Sequence, residues 1–218
     1  MPAIKVVLAG ATGFVGGEVL SQLLLDPAVD GVSCLTRRPL AVSHPKLTPL
    51  LHADFTVYDD ALLARLADHT ACLWTLGGKA SELDSASEYA RVTHDFTIAF
   101  ARGVALSGRP FSFGYLSGMG ADPSESTRLP WERATRHLKG RTEADLAAIA
   151  YTHAGFLASS FRPGGILPTN GSPWVGRLLA PWAVRVDVLA RAMIRVAVQG
   201  GPSGVIHNEQ IKAMGRAR

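Results

Sequence analysis

The sequence predicts an α/β protein: a doubly wound parallel sheet with helices on both faces, forming one domain with a small C-terminal lid. Three observations carry this. Strand-length runs that are apolar at nearly every position alternate with longer stretches of helical spacing. A glycine-rich segment stands where the first strand ends and the first helix opens. No internal repeat, low-complexity tract or linker divides the 218 residues.

The elements follow in order. Ile4 to Ala9 is the first strand, and Phe14 to Leu25 has helical spacing stopped at Asp26-Pro27. Val32 to Thr36 is a second strand, and a weak third includes Leu50-Leu51. Ala61 to Ala67 suggests a short helix, and Ala71 to Leu76 a fourth strand. Tyr89 to Leu106 is helical and closed by Ser107-Gly108, Phe111 to Leu116 is a fifth strand, and Trp131 to Ala150 is a long helix. Phe156 to Phe161 is a sixth strand, Val186 to Val198 a helix, and Val205 to His207 a short closing strand. Right-handed crossovers leave a doubly wound sheet as the topology, and a sheet of the dinucleotide-binding kind runs in the order 3-2-1-4-5-6. The Pro- and Gly-rich stretch between strand six and the next helix makes residues 166–185 the lid.

Composition narrows the function classes. With 47% hydrophobic residues, 18% charged residues and a net charge of +4, the chain can bury a core and is not disordered. No run of 18 apolar residues occurs, so no membrane span is expected. The positive charges are scattered, which argues against sequence-specific nucleic-acid binding, and Lys212, Arg216 and Arg218 read as a solvated tail. Met1-Pro2-Ala3 leads straight into a strand rather than a signal peptide, so a cytoplasmic location is expected. Cys34 and Cys72 lie on strands that flank strand one, ~9.6 Å apart, too far for a disulfide, and read as buried thiols. Metal-ligand spacings, paired carboxylates and a nucleophile elbow are absent from the sequence.

The segment Gly10-Ala11-Thr12-Gly13-Phe14-Val15-Gly16 carries the chemistry. Gly10 allows a tight turn off the strand, Gly13 lets backbone amides approach a diphosphate, and Gly16 permits close packing of the helix. The diphosphate then lies at the positive end of the helix dipole. At the end of strand two, where an NAD site carries a carboxylate for the ribose, this chain has Thr36-Arg37-Arg38. Two guanidinium groups suit a 2′-phosphate, so NADP(H) is favoured over NAD. Asp54, after the third strand, is placed to meet the adenine amino group or is a plain surface acid.

Further motifs resemble the atypical short-chain dehydrogenase/reductases, in particular the Tat-interacting-protein type and its NmrA-like and NAD-dependent epimerase/dehydratase kin. They are the glycine loop, Leu76-Gly77-Gly78-Lys79-Ala80, Tyr115-Leu116-Ser117-Gly118-Met119-Gly120-Ala121-Asp122, Lys139-Gly140 with Glu143, and Phe161-Arg162-Pro163-Gly164-Gly165. The resemblance runs over nearly the whole chain in order. It implies a Rossmann domain with the cofactor across the C-terminal ends of the strands. The loop Leu76-Gly77-Gly78 and the Pro163-Gly164-Gly165 turn would meet the nicotinamide half, with Lys79 a basic residue nearby or a solvated loop lysine. It also implies hydride transfer aided by a Ser-Tyr-Lys set, of which Ser117 and Lys139 match two members.

The tyrosine is missing. Four residues before Lys139, on the same helix face, stands Thr135. A threonine hydroxyl is a far weaker acid than a phenol, and the general acid–base help it would have to replace is typically worth ~10²–10⁴-fold. Tyr115 reads as deeper core, His137 as solvent-facing, and Lys139 as a cofactor-holding residue that could donate a proton if desolvated. Trp131 shares the face of Thr135 and Lys139, to line a pocket or to pack under a loop. Asp187 reads as a first-turn acid of its helix, and His207-Asn208-Glu209 as a structural closing segment. Two functions therefore stand: an NADP-dependent enzyme on a small, apolar or aromatic carbonyl compound, its lid supplied by Trp174 and Trp182, or a non-catalytic NADP-binding regulatory protein with a protein partner. A non-redox isomerase or dehydratase on the same fold is a third.

Overall fold

The computed structural model describes residues 3–77, 85–126, 132–171, 179 and 181–217. Its strands are β1 (Ile4–Ala9), β2 (Val29–Thr36), β3 (Leu47–Leu51), β4 (Ala71–Trp74), β5 (Phe111–Leu116), β6 (Phe156–Arg162), β7 (Gly165–Leu167), β8 (Ala183–Arg185) and β9 (Gly204–His207). The helices are α1 (Phe14–Leu25), α2 (Asp60–Arg65), α3 (Ala86–Ala90), α4 (Phe96–Ala105), α5 (Arg133–Thr152), α6 (Val186–Gln199) and α7 (Asn208–Arg216), with a π turn over Arg91–Asp95 joining α3 to α4. One parallel sheet runs β3-β2-β1-β4-β5-β6-β9, the expected order with the closing strand added beside β6.

Burial on both faces explains the parallel sheet. All four residues of β4 and Val6 to Ala9 of β1 are buried. One face packs against α1, α6 and α7 through Val19, Leu23, Leu189, Met193 and Ile211; the other packs under α4 and α5 through Phe100, Phe113 and Leu146. Edge strand β3 tolerates Pro49 because only β2 pairs with it. Cys34 joins the first face and Cys72 the second, so the two free thiols sit on opposite sides of the sheet. Burial pushes the Cys34 thiol up to about 12 and that of Cys72 well above its ordinary value, which leaves both unreactive.

Three features depart from the sequence expectation. The helix expected from Tyr89 to Leu106 carries the π turn near its start. Two short parallel strands, β7 and β8, bracket the lid segment. The tail expected to be solvated forms α7, in which Arg216 is exposed but Lys212 is buried beside Ile211, its Nζ donating to Glu209 Oε1 (2.7 Å) and Pro181 O (3.2 Å); Arg218 lies outside the described residues. The start of α7 was marked by Gln210, whose Oε1 accepts from the backbone N of His207 at 2.8 Å.

Candidate functional site

The C-terminal ends of β1, β4, β5 and β6 lie side by side on one edge of the sheet, where open α/β folds place their binding crevice. Leaving β1, Gly10 has φ +89°, and a Cβ there would lie 2.6 Å from Thr75 Oγ1 and 2.8 Å from Thr75 C. A Cβ on Gly16 would lie 2.0 Å from Gly10 O, so helix and loop backbones meet where no other residue fits. The close approach of Gly16 is therefore to the loop itself and to Thr75. That threonine clamps β1 from the end of β4, with its N (2.9 Å) and Oγ1 (2.7 Å) both donating to Ala9 O. Gly13 is the N-cap of α1 without a side-chain cap, and no acidic residue occupies the first turn. Thr12, Gly13 and Phe14 are exposed, while Val15 turns into the core.

Such an uncapped helix start offers free backbone N–H groups to an anion. The Gly10–Gly16 cradle and the open first turn fit the diphosphate of a dinucleotide. Arg37 and Arg38 stand exposed just past β2, on a turn held by Thr36 Oγ1, which donates to Arg38 O at 2.7 Å. Neither makes an ion pair among the described residues. Asp54 is exposed and accepts from Thr56 N (2.9 Å) and Oγ1 (2.6 Å). Those two bonds, with help from Arg91 at 3.9 Å, hold its carboxyl below the usual range. Leu76 is half-buried after β4, and Gly77 (φ +112°) lies against Thr93 of the π turn. Gly78, Lys79, Trp131 and Trp174 lie outside the described residues.

Across the crevice, Ser117 ends β5 at 2% exposure, its N donating to Phe161 O at 2.9 Å, and its Oγ has no hydrogen-bond partner among the described residues. Lys139 Nζ donates to Ser117 O at 3.0 Å, so the two residues implied by the resemblance do meet. The surrounding loops are stitched together. Met119 N donates to Pro163 O (2.8 Å), and Gly164 N donates to Asn208 Oδ1 (3.0 Å). A Cβ on Gly164 would strike Trp182 O at 1.7 Å, and one on Gly140 would strike Asp122 C at 2.1 Å. Gly165 opens β7, paired with Ala183 of β8. Beneath them Arg162 Nε donates to both oxygens of Glu143 (2.9 and 3.0 Å), fixing α5 against β6; the Glu143 carboxylate holds the Arg162 pKa above its ordinary value.

Thr135 is half-buried, and its Oγ1 donates to Glu132 Oε2 at 2.8 Å. Tyr115 is fully buried, and burial pushes its phenol far up, which removes it as a proton donor. His137 is not solvent-facing as expected: it is half-buried and its Nε2 is closed off from solvent. Sequence reasoning missed Thr75 and Glu132, and it read Asn208 as structural without its bond to Gly164. A polar β-branched residue ending an otherwise apolar strand was the available signal for Thr75; nothing in the sequence marked Glu132.

No family model matches the chain. A protein from Aspergillus clavatus named "Protein fmp52, mitochondrial" is 26% identical over 211 residues, spanning 89% of this chain and 87% of that protein. A Neurospora crassa protein named "Protein fmp-52, mitochondrial" is 26% identical over 236 residues, spanning 96% and 94%. These names overturn the cytoplasmic location expected from the sequence. Among solved structures, the Bordetella bronchiseptica enzyme WbmF with NAD+ aligns at TM-score 0.72 and 18% identity, over 95% of this chain and 73% of that one. The dTDP-glucose 4,6-dehydratase DesIV of Streptomyces venezuelae, with NAD bound, aligns at 0.71 and 18% over 97% and 80%. A Burkholderia thailandensis oxidoreductase of the short-chain dehydrogenase/reductase family aligns at 0.66 and 14% over 96% and 93%. The chain thus has the Rossmann-like fold of short-chain dehydrogenase/reductase enzymes.

Proposed function

We propose that the protein is an oxidoreductase of the atypical short-chain dehydrogenase/reductase kind that uses NADP(H) on a small, apolar or aromatic carbonyl compound. The observation that carries this reading is the meeting of Lys139 Nζ with Ser117 O at 3.0 Å, across the crevice from a glycine cradle shaped for a diphosphate. The neighbours whose titles name NAD support a nicotinamide cofactor. Arg37 and Arg38, exposed beyond β2, supply the preference for a phosphorylated ribose.

Bound there, the nicotinamide ring supplies or takes up a hydride. Ser117 Oγ, buried and unpartnered among the described residues, donates to the substrate oxygen. Lys139, anchored on Ser117 O, directs its ammonium to the ribose hydroxyls. The relatives' names favour the mitochondrion as its place of action.

A second reading, a non-catalytic NADP-binding regulator with a protein partner, is favoured by Thr135 standing where a phenol is expected. One experiment separates the two. NADPH oxidation is followed at 340 nm with a panel of quinones, aromatic aldehydes and ketones. The oxidoreductase reading expects turnover that Ser117→Ala reduces by ~10²-fold or more. Tight NADPH binding without turnover on any compound gives the regulatory reading.

A further inference from the structure

Interconverting a carbonyl and an alcohol requires a proton donor at the substrate oxygen, and the groups considered so far do not provide a good one. Tyr115 is sealed in the core, and Thr135 is an alcohol already committed to a carboxylate. That carboxylate belongs to Glu132, which precedes α5 with φ +55° and ψ +28°. Left-handed backbone is uncommon for a residue with a Cβ and gathers where function demands it.

Thr135 and Lys139 stand one turn apart on the face of α5 that reaches Ser117, and the hydrogen bond from Thr135 brings the carboxyl of Glu132, just before the helix, to that face. All three are half-buried. Helical side chains lean toward the helix N-terminus, so a tyrosine at 135 would carry its phenol over the preceding turn. The Glu132 carboxyl stands at that turn, held by the Thr135 hydroxyl at 2.8 Å. We propose that Glu132 is the acid–base residue of the site and Thr135 its positioning residue, a carboxyl and a short hydroxyl together filling the place of a phenol.

This rests on the oxidoreductase reading. In reduction, hydride from the reduced nicotinamide adds to the carbonyl carbon and the C=O π pair moves to oxygen. That oxygen takes the proton of the Glu132 carboxyl, and the carboxylate recovers a proton from water. In oxidation, the Glu132 carboxylate takes the hydroxyl proton as hydride leaves carbon for the oxidised nicotinamide.

Glu132→Gln keeps an acceptor for Thr135 while removing the proton. It is expected to lower kcat by ~10²–10⁴-fold, to abolish the limb of the pH profile due to the carboxyl, and to leave the NADPH Kd from fluorescence titration unchanged. Adding Thr135→Tyr to Glu132→Gln should restore much of the loss, which a merely structural role for Glu132 would not allow. Full kcat with an unaltered pH profile in Glu132→Gln overturns the proposal. Crystals of the NADP+ complex decide the placement without turnover: a Glu132 carboxyl within about 6 Å of nicotinamide C4 supports it, and one beyond about 10 Å overturns it. Absence of turnover by the unaltered protein overturns the oxidoreductase reading, and the crystal still decides the position of Glu132.

Discussion

The two walls of the crevice are held by different means. The glycine wall is backbone against backbone: Gly10 and Gly16 touch within one loop, and Thr75 clamps them from the adjacent strand. The opposite wall is built from side chains that reach between distant elements: Lys139 to Ser117, Arg162 to Glu143, Asn208 to Gly164 and Lys212 to Pro181. The first wall admits no side chain at Gly10 or Gly16, because a Cβ at either collides with main chain. The second can exchange one side chain for another.

The largest expected effect breaks the backbone wall. Gly16→Val puts a branched side chain where even a Cβ would be 2.0 Å from Gly10 O, and should destabilise by about 3 kcal/mol or prevent folding, read by urea denaturation. Gly17→Ala, one residue on, meets Ala11 O at an ordinary 3.6 Å and should be neutral or stabilise by up to about 1 kcal/mol. Equal losses in the two would refute the backbone account.

Arg162→Ala tests the side-chain wall. It leaves Glu143, 6% exposed, as a buried charge without its guanidinium, and should cost about 3 kcal/mol in the same assay. Because Glu143 is one turn from Lys139 on α5, turnover should fall further than stability explains. Thr75→Val keeps the shape but loses the Oγ1 bond to Ala9 O, with an expected loss of about 1 kcal/mol.

The smallest effect lies at the far end of the sheet, where buried His69 places Nε2 2.9 Å from Ser33 Oγ. Burial pushes the His69 pKa below its ordinary value, outweighing Asp68 beside it. The folded protein therefore binds this proton less readily than the unfolded chain, so stability is present above pH 6.5 and is lost as pH falls below it. The Tm should drop between pH 7.5 and 5.5, and His69→Gln should flatten that dependence. Asp68, whose hydrogen bond from Lys5 holds its carboxyl below the ordinary value of 3.8, acts only under more acid conditions. A site near the crevice would instead change cofactor affinity over this pH range.

The same contrast decides what could be read from the chain. Local period and glycine spacing are properties of neighbouring residues, so β1, the loop and α1 stand where Ile4 to Ala9, Gly10 to Gly16 and Phe14 to Leu25 put them. The doubly wound topology followed from apolar strands and crossover handedness. Contacts across long sequence separations left little trace: nothing near Asn208 announces that it caps the amide of Gly164, and Lys212 reads as a tail cation until α7 packs it against Pro181. His137 failed for a similar reason, since helical phase alone does not reveal what packs against the second face of α5.

Titration with NADPH and with NADH, followed by calorimetry on the unaltered protein and on Arg37→Ala/Arg38→Ala, tests the central claim most directly. The account predicts one saturable site that prefers NADPH by about tenfold or more, and a double variant that keeps its fold but binds both nucleotides alike. No heat with either nucleotide, or a preference for NADH that the two substitutions leave untouched, would contradict it.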